Sequence, residues 1–380
     1  MDRSTAMLHS AFREYYSSWE PDGPDNISSR EIGLIPFEGT MVRHRKFRSL
    51  LEARAMCARD PPRHLYYSSA YYRKPDERSM EGKGWLGAEL IFDLDADHIP
   101  GASNMSYEAI LGEVKKHTIR LVKNFLIGSL GVPRDSIKVY FSGGRGYHVH
   151  IQDDAVYTLD SDSRREIADY VRGEGITFSE IRKNSFLLSG AMGGWISSID
   201  RFVSSVFAEV YRGSNIGILK DDELSDILSR RNSPVIVDRT RTASREQVLS
   251  SPGHLKYRLD ISEAEQKVFE WATTTYLERE RSEIDEPVTT DVHRLIRFPM
   301  SLHGKSGLMV LPVPLDGLEE FDPLVSAVPE RFRDGECRVE LPAGFSVWFM
   351  GRKFELDAGV HSVDRALGIF LVASGRAKFV

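Results

Sequence analysis

Two acidic residues fall on one face of an otherwise apolar strand, and no other feature narrows the possible folds of this chain as far. In the stretch Glu89–Pro100, ELIFDLDADHIP, Leu90, Phe92 and Leu94 alternate with Ile91, Asp93 and Asp95. A period of two puts Asp93 and Asp95 on the same side of a strand that reads as buried. Charged side chains are rarely buried without a partner, and two carboxylates this close cannot both ionise cheaply. A divalent cation removes the conflict, and hard oxygen donors at this spacing suit Mg²⁺ or Mn²⁺. Carboxylates that hold such ions imply chemistry on phosphates.

A second group lies in SGGRGYHVHI, Ser142–Ile151. Ile137, Val139 and Phe141 alternate into this segment and Tyr147, Val149 and Ile151 alternate out, which predicts a hairpin over Ile137–Gln152. Gly143, Gly144 and Gly146 let backbone N–H groups approach an anion, and Ser142 and Arg145 add side-chain donors. His148 and His150 share a strand face and are open to three readings: packing, metal ligation with a further ligand, or a hydrogen bond to a phosphate or sugar. Arg145 inside the turn favours a triphosphate contact. A third group, IDEPVTTDVHRLIRFPMSLHGKSGL over Ile284–Leu308, gathers Arg294, Arg297, His303 and Lys305. Pro299 rules out a continuous helix, so these cations sit on a turn between shorter elements.

A chain of 380 residues allows one large domain, or a core with an inserted lobe. No apolar run reaches the length of a membrane span and MDRSTAMLHSAFREYY carries no secretory h-region, so the expected location is the cytoplasm, with no membrane contact. Cys57 and Cys337 are too few for a disulfide framework or a thiolate zinc site. The net charge of −6 argues against a chain that grips nucleic acid over its whole surface. Arg43, Arg45, Lys46, Arg48, Arg54, Arg59 and Arg63 nevertheless form a local basic patch able to bind phosphates. Periodicity and punctuation predict helices over Thr5–Trp19, Lys46–Arg59 and Tyr107–Leu130, short strands within Ser28–Phe47, and a strand over His64–Tyr72. A capping box at Ser163 and Glu166 opens a helix that Gly173 stops, Ser229–Gln247 reads as a mobile loop, and strands return at Gly307–Val313 and from Val339 onward. The fold class expected is α/β (α+β), with the core in residues 1–160 and 284–380 and a mainly helical insertion over 161–283.

Taken in chain order, ELIFDLDAD, SGGRGYHVHI and RLIRFPMSLHGKSGL resemble the three motifs of the archaeo-eukaryotic primase superfamily, and most nearly those of the small catalytic subunit of replicative DNA primase. The resemblance runs from about Arg30 to the end and is weakest over Ser161–Glu283. It implies the primase fold, a mixed-sheet catalytic core with a helical insertion. It also implies that Asp93 and Asp95 are catalytic, metal-binding carboxylates, with Asp285 of IDEPVT as the third acid and Asp291 as the alternate. Ser142, Gly143, Arg145 and His148 match the phosphate-binding turn, and Arg297 and His303 the basic positions, with Lys305 beside them. Arg30, in SREIGLIPFE, resembles an Arg-Glu motif that faces the nucleotide. Relatives usually carry a zinc-binding knob after the first motif; here that interval is HIPGASNMSY, without cysteine, so no structural zinc is expected.

The implied activity is two-metal nucleotidyl transfer with Mg²⁺ or Mn²⁺, making short RNA primers and leaving DNA synthesis open. The implied partners are a single-stranded DNA template, nucleoside triphosphates and a large primase subunit, in a nucleoid-associated setting. Beside this reading stand a nucleotide-binding regulatory module that has lost catalysis, against which the intact carboxylates speak, and two enzymes. One is a primase-polymerase of the same superfamily that acts in repair. The other is an Asp-x-Asp glycosyltransferase, which leaves the glycine turn and the basic loop unexplained.

Overall fold

The computed structural model describes residues 2–99, 101–184, 194–238, 240–253 and 260–380. The chain divides into two compact units, one of Met1–Lys123, Gly131–Ala168 and Glu283–Val380, the other of Asn124–Leu130 and Asp169–Ser282.

The first unit opens with helix α1 (Arg3–Ser17), capped by the Asp2 carboxylate on the Thr5 N–H and buried along Leu8, Ala11, Phe12, Tyr15 and Tyr16. There follow β1 (Ile32–Ile35), β2 (Val42–Arg45), α2 (Leu50–Arg59), β3 (His64–Ser68), β4 (Leu90–Asp95), α3 (Tyr107–Arg120), β5 (Ile137–Phe141) and β6 (Gly146–Ile151). After the second unit the chain returns as β7 (Leu295–Arg297) and β8 (Leu311–Val313). These strands build two four-stranded sheets, ordered β7-β3-β1-β2 and β8-β5-β6-β4. The pairings within both are antiparallel, so the helices and sheets combine as an α+β fold. On β4 the apolar set Leu90, Phe92 and Leu94 is buried, while Asp93 and Asp95 are only half-buried. The acids therefore line an open face of the sheet instead of being sealed inside it.

Several elements differ from expectation for local reasons. The stretch His64–Tyr72 is cut at Ser69: β3 stays in its sheet, and Ala70–Tyr72 pairs with Trp85–Ala88. The helix beginning at Tyr107 is regular to Arg120 and continues as a wider π-helical segment, Leu121–Ile127. Near the C-terminus Glu336–Leu341 pairs with Gly359–Asp364 and Lys378–Phe379, but Arg365–Ala373 is a helix with Ala366–Ala373 wholly buried. An apolar run that short has no periodicity to separate helix from strand.

In the second unit, Gly194–Tyr211 and Glu263–Glu280 are the long helices. Val203, Phe207 and Val210 on the first and Val268, Phe269 and Ala272 on the second are buried. The helix Ser161–Arg172, whose residues up to Ala168 belong to the first unit, starts earlier than its predicted cap, because the Asp160 carboxylate accepts the Ser163 N–H at 2.8 Å. The segment read as a mobile loop instead holds the pair Pro234–Asp238 and Arg241–Ser244 and the helical turn Arg245–Leu249, capped reciprocally by Ser244 and Gln247; residue 239 within it lies outside the described residues. Among the described residues no helix is long and apolar enough to cross a membrane.

Candidate active site

Strand register builds the centre. Pairing of β4 with β6 sets Asp93 opposite His148 and Asp95 opposite Gly146. Gly146 is required there, since a Cβ would collide with the Leu94 carbonyl. The Nε2 of His148 stands 3.6 Å from Asp93 Oδ1, and Asp93 keeps 21% of its side chain exposed. A third carboxylate arrives from the far end of the sequence: the Asp285 N–H donates to the Asp93 carbonyl at 2.8 Å. Burial, followed by the like charges of Asp95 and Asp285, pushes the Asp93 carboxyl up to about 7. Asp291 lies apart from this trio. Its carboxylate accepts the His293 N–H at 2.8 Å, and the His293 ring meets the Tyr72 hydroxyl at 3.0 Å.

The glycine turn and the basic loop are seated on one another. Ser142 N–H donates to Gly146 O at 2.9 Å, and Gly144 N–H to Ser142 Oγ at 3.3 Å. Gly143 has a left-handed φ of 78°, and a Cβ there would lie 2.7 Å from His303 Cβ. Only a turn without side chains admits the His303 ring so closely. The Ser306 hydroxyl donates to the Gly143 carbonyl and the Tyr107 hydroxyl to that of Gly144 at 2.8 Å. Arg145 points outward and pairs with Asp97 at 2.6 Å, and Lys305 is exposed.

His64, at the head of β3, organises the loop and carried no spacing signal in a Tyr-rich strand. Its Nδ1 accepts from Arg297 Nη1 at 2.8 Å and from the Gly304 N–H at 3.2 Å. Two donors on one nitrogen leave its proton on Nε2. Burial, then Arg297, Arg63 and Lys305, hold this imidazole down at about 3, so it stays neutral. The Arg297 guanidinium also lies over the Tyr66 ring, 5.2 Å from its centre. Burial keeps His148 well below its usual range, helped by His150, Arg297 and Arg294. Burial does the same for His303, helped by Arg297 and His64. Both are hydrogen-bonding groups rather than cations, and the positive charge of the site belongs to the arginines. Met300, between Arg297 and His303, is left-handed at φ 60°. Its carbonyl accepts from the Tyr15 hydroxyl at 2.6 Å and from the Trp19 indole N–H at 2.7 Å.

Arg30 corrects its expected role. It is fully buried and its donors are all taken: Nε by Asp25 O at 3.2 Å, Nη1 by Ser68 O at 2.9 Å and Ser69 O at 2.8 Å, and Nη2 by Tyr71 Oη at 2.6 Å and by Glu89. No N–H remains for a phosphate, so Arg30 anchors the root of β4 instead. Glu89 also binds His150 Nδ1 at 2.9 Å and accepts from Gln152 Nε2 at 3.0 Å. His150 thus belongs to this buried cluster, and of the two histidines only His148 faces Asp93.

Among the described residues no three His, Cys, Asp or Glu side chains stand close enough together to enclose an ion as they are. The trio at the end of β4 still fits one chemically. Its donors are hard oxygens, and the like-charge repulsion that adds to burial in raising Asp93 is what a divalent cation relieves.

Sequence comparison covers all three clusters. Residues 92–315 match the profile of the DNA primase small subunit family. The DNA primase small subunit PriS of Picrophilus torridus is 44% identical over 97% of this chain and 96% of its own length. That of Thermoplasma acidophilum is 40% identical over 97% and 98%, and that of Haloarcula marismortui 35% identical over 99% and 98%. Similarity of that extent leaves one assignment: the chain belongs to the DNA primase small subunit family.

Proposed function

We propose that this chain is the catalytic subunit of a replicative primase and joins nucleotides on a single-stranded DNA template. The 3′-hydroxyl of one nucleotide attacks the α-phosphate of the next, and pyrophosphate leaves. The observation that supports this best is the convergence of Asp93, Asp95 and Asp285 on a face shared with His148. Those three carboxylates would hold Mg²⁺ or Mn²⁺, which when bound neutralises phosphate charge and acidifies the attacking hydroxyl.

The remaining residues position and neutralise, which is most of what phosphoryl and nucleotidyl transfer asks of a protein. Arg297, fixed between His64 and the Tyr66 ring, is a stationary cation for the triphosphate. His148 and His303, held neutral, hydrogen-bond phosphate oxygens without exchanging protons. The Ser142 hydroxyl and Arg145, once released from Asp97, complete the clamp, with Lys305 at its open edge. Within the basic patch Arg43 pairs with Glu31 and Lys46 with Asp76, both at 3.0 Å, and Arg63 donates to Gly304 O at 3.3 Å. Contact with the template therefore rests on Arg45, Arg48, Arg54 and Arg59, and weakens with salt.

The relatives are named as small subunits, which favours a larger partner subunit, and their similarity along the whole chain favours replication over a repair polymerase. A glycosyltransferase has no use for the basic loop seated on the glycine turn. The test is primer synthesis on single-stranded DNA with labelled ATP and Mg²⁺ or Mn²⁺, with and without the large subunit. Asp93→Ala combined with Asp95→Ala should abolish products; primers that persist in this double variant overturn the proposal.

A further inference from the structure

Strand alternation sends Tyr147 to the opposite side of the sheet from His148. There it lines a cavity of about 270 Å³ between one face of α3, the segment Glu320–Leu324 and Trp348. Tyr147 is fully buried, yet its hydroxyl has no hydrogen-bond partner, and buried hydroxyls seldom go without one. A second, independent feature marks the same spot. Gly112 sits inside α3, where glycine is less favourable than alanine, and a Cβ there would meet nothing within 4 Å. No neighbour requires this glycine; its effect is to keep the wall of the cavity open.

The mouth has a defined chemistry. Trp348 leaves 55% of its surface exposed, on the strand Phe345–Phe349. Glu108, Glu320 and Asp322 line the cavity, and the one opposing cation, Lys115, is already turned to the carbonyls of Glu319 at 2.6 Å and Phe321 at 3.2 Å. Three carboxylates against one ammonium leave a surplus of two negative charges around an apolar wall and an open indole.

We propose that this cavity receives an arginine side chain presented by a partner protein. The guanidinium stacks on Trp348, pairs with the Glu320 carboxylate and donates to the Tyr147 hydroxyl, while its aliphatic stem runs along Leu111. Arginine suits the site better than lysine because its planar fork can stack and donate in several directions at once. An acidic or purely aliphatic anchor would leave the carboxylates or the phenol unsatisfied. A buried arginine beside an aromatic ring, rimmed by polar groups, is the usual composition of an interface hot spot.

The test uses the full chain labelled with 5-fluorotryptophan, the Trp348 resonance being assigned with Trp348→Phe. N-acetyl-arginine methylamide is titrated and compared with the blocked norleucine and glutamate analogues and with free L-arginine. The blocked arginine should shift the Trp348 signal saturably and bind at least about tenfold more tightly than norleucine. Gly112→Leu, which fills the cavity and favours the helix, should abolish the shift while primer synthesis on single-stranded DNA is retained. Glu320→Gln, an exposed change that leaves the core untouched, should weaken binding about threefold to tenfold. The proposal is overturned by an unsaturable or absent shift, by equal binding of norleucine, or by binding that survives Gly112→Leu. Free arginine binding more than about tenfold tighter than the blocked form would make this a metabolite site and would equally overturn it.

Discussion

The two ends of the β4–β6 pair carry similar side chains in opposite electrostatic states. At one end Glu89 is fully buried, and burial alone would raise its carboxyl, but Arg30 and His150 hold it well below the usual range. At the other, Asp93 has its histidine 3.6 Å away and that imidazole is kept neutral, so burial, with the like charges of Asp95 and Asp285 added to it, raises the carboxyl to about 7. One acid has been matched with cations inside the chain, whereas the other has been surrounded by its own kind. The contrast separates a charge that holds the sheet together from charges kept for something that arrives later.

Removing the charge at each end should therefore have opposite consequences. Asp93→Asn should cut primer synthesis at least about a thousandfold, as the loss of several kcal/mol of transition-state stabilisation requires. Its Tm should be unchanged or higher because a like charge has gone; a marked fall in Tm would erase the distinction between the two ends. Glu89→Gln should destabilise by about 3–5 kcal/mol, the usual result of leaving a buried charge unpaired, while activity measured well below the new Tm survives. The sign with pH follows from a depressed carboxyl. Its stabilisation is present above the ordinary glutamate value of about 4.3 and is lost as pH falls through the lower folded value. Thermal scans across the acid range should thus show a shallower loss in Glu89→Gln than in the parent.

Smaller effects sharpen the active end. His64→Ala should raise the nucleotide KM about tenfold with less change in kcat, because Arg297 loses the acceptor that fixes it; His64→Asn, which restores an acceptor, should recover part of the loss. Asp97→Asn frees Arg145 from a largely exposed ion pair. It should lower the KM by no more than about threefold, a gain that disappears in high salt.

What could be read from letters alone follows a physical divide. Alternation exposed β4 and the β5–β6 hairpin because each has one consistently apolar face. It could not assign Arg30, since a motif says which residues adjoin but not whether Glu89, far along the chain, has already taken the guanidinium. It passed over His64 because a single histidine has no periodic partner; its role comes from Gly304 and Arg297, both remote in sequence. Asp285 and Asp291 are alike by composition, and they are separated by the backbone bond from Asp285 to Asp93 and by the turn of the Asp291 carboxylate to the His293 N–H. The strands Pro234–Asp238 and Arg241–Ser244 were hidden by charge on both sides of a short segment.

The strained Met300 turn is braced by Tyr15 and Trp19, residues some 280 positions earlier in the chain. Loop closure over such a distance comes late in folding. On the ribosome, the basic loop can take its shape only after most of the protein has emerged, so a half-made chain already exposing its acidic strand has no braced loop beside it.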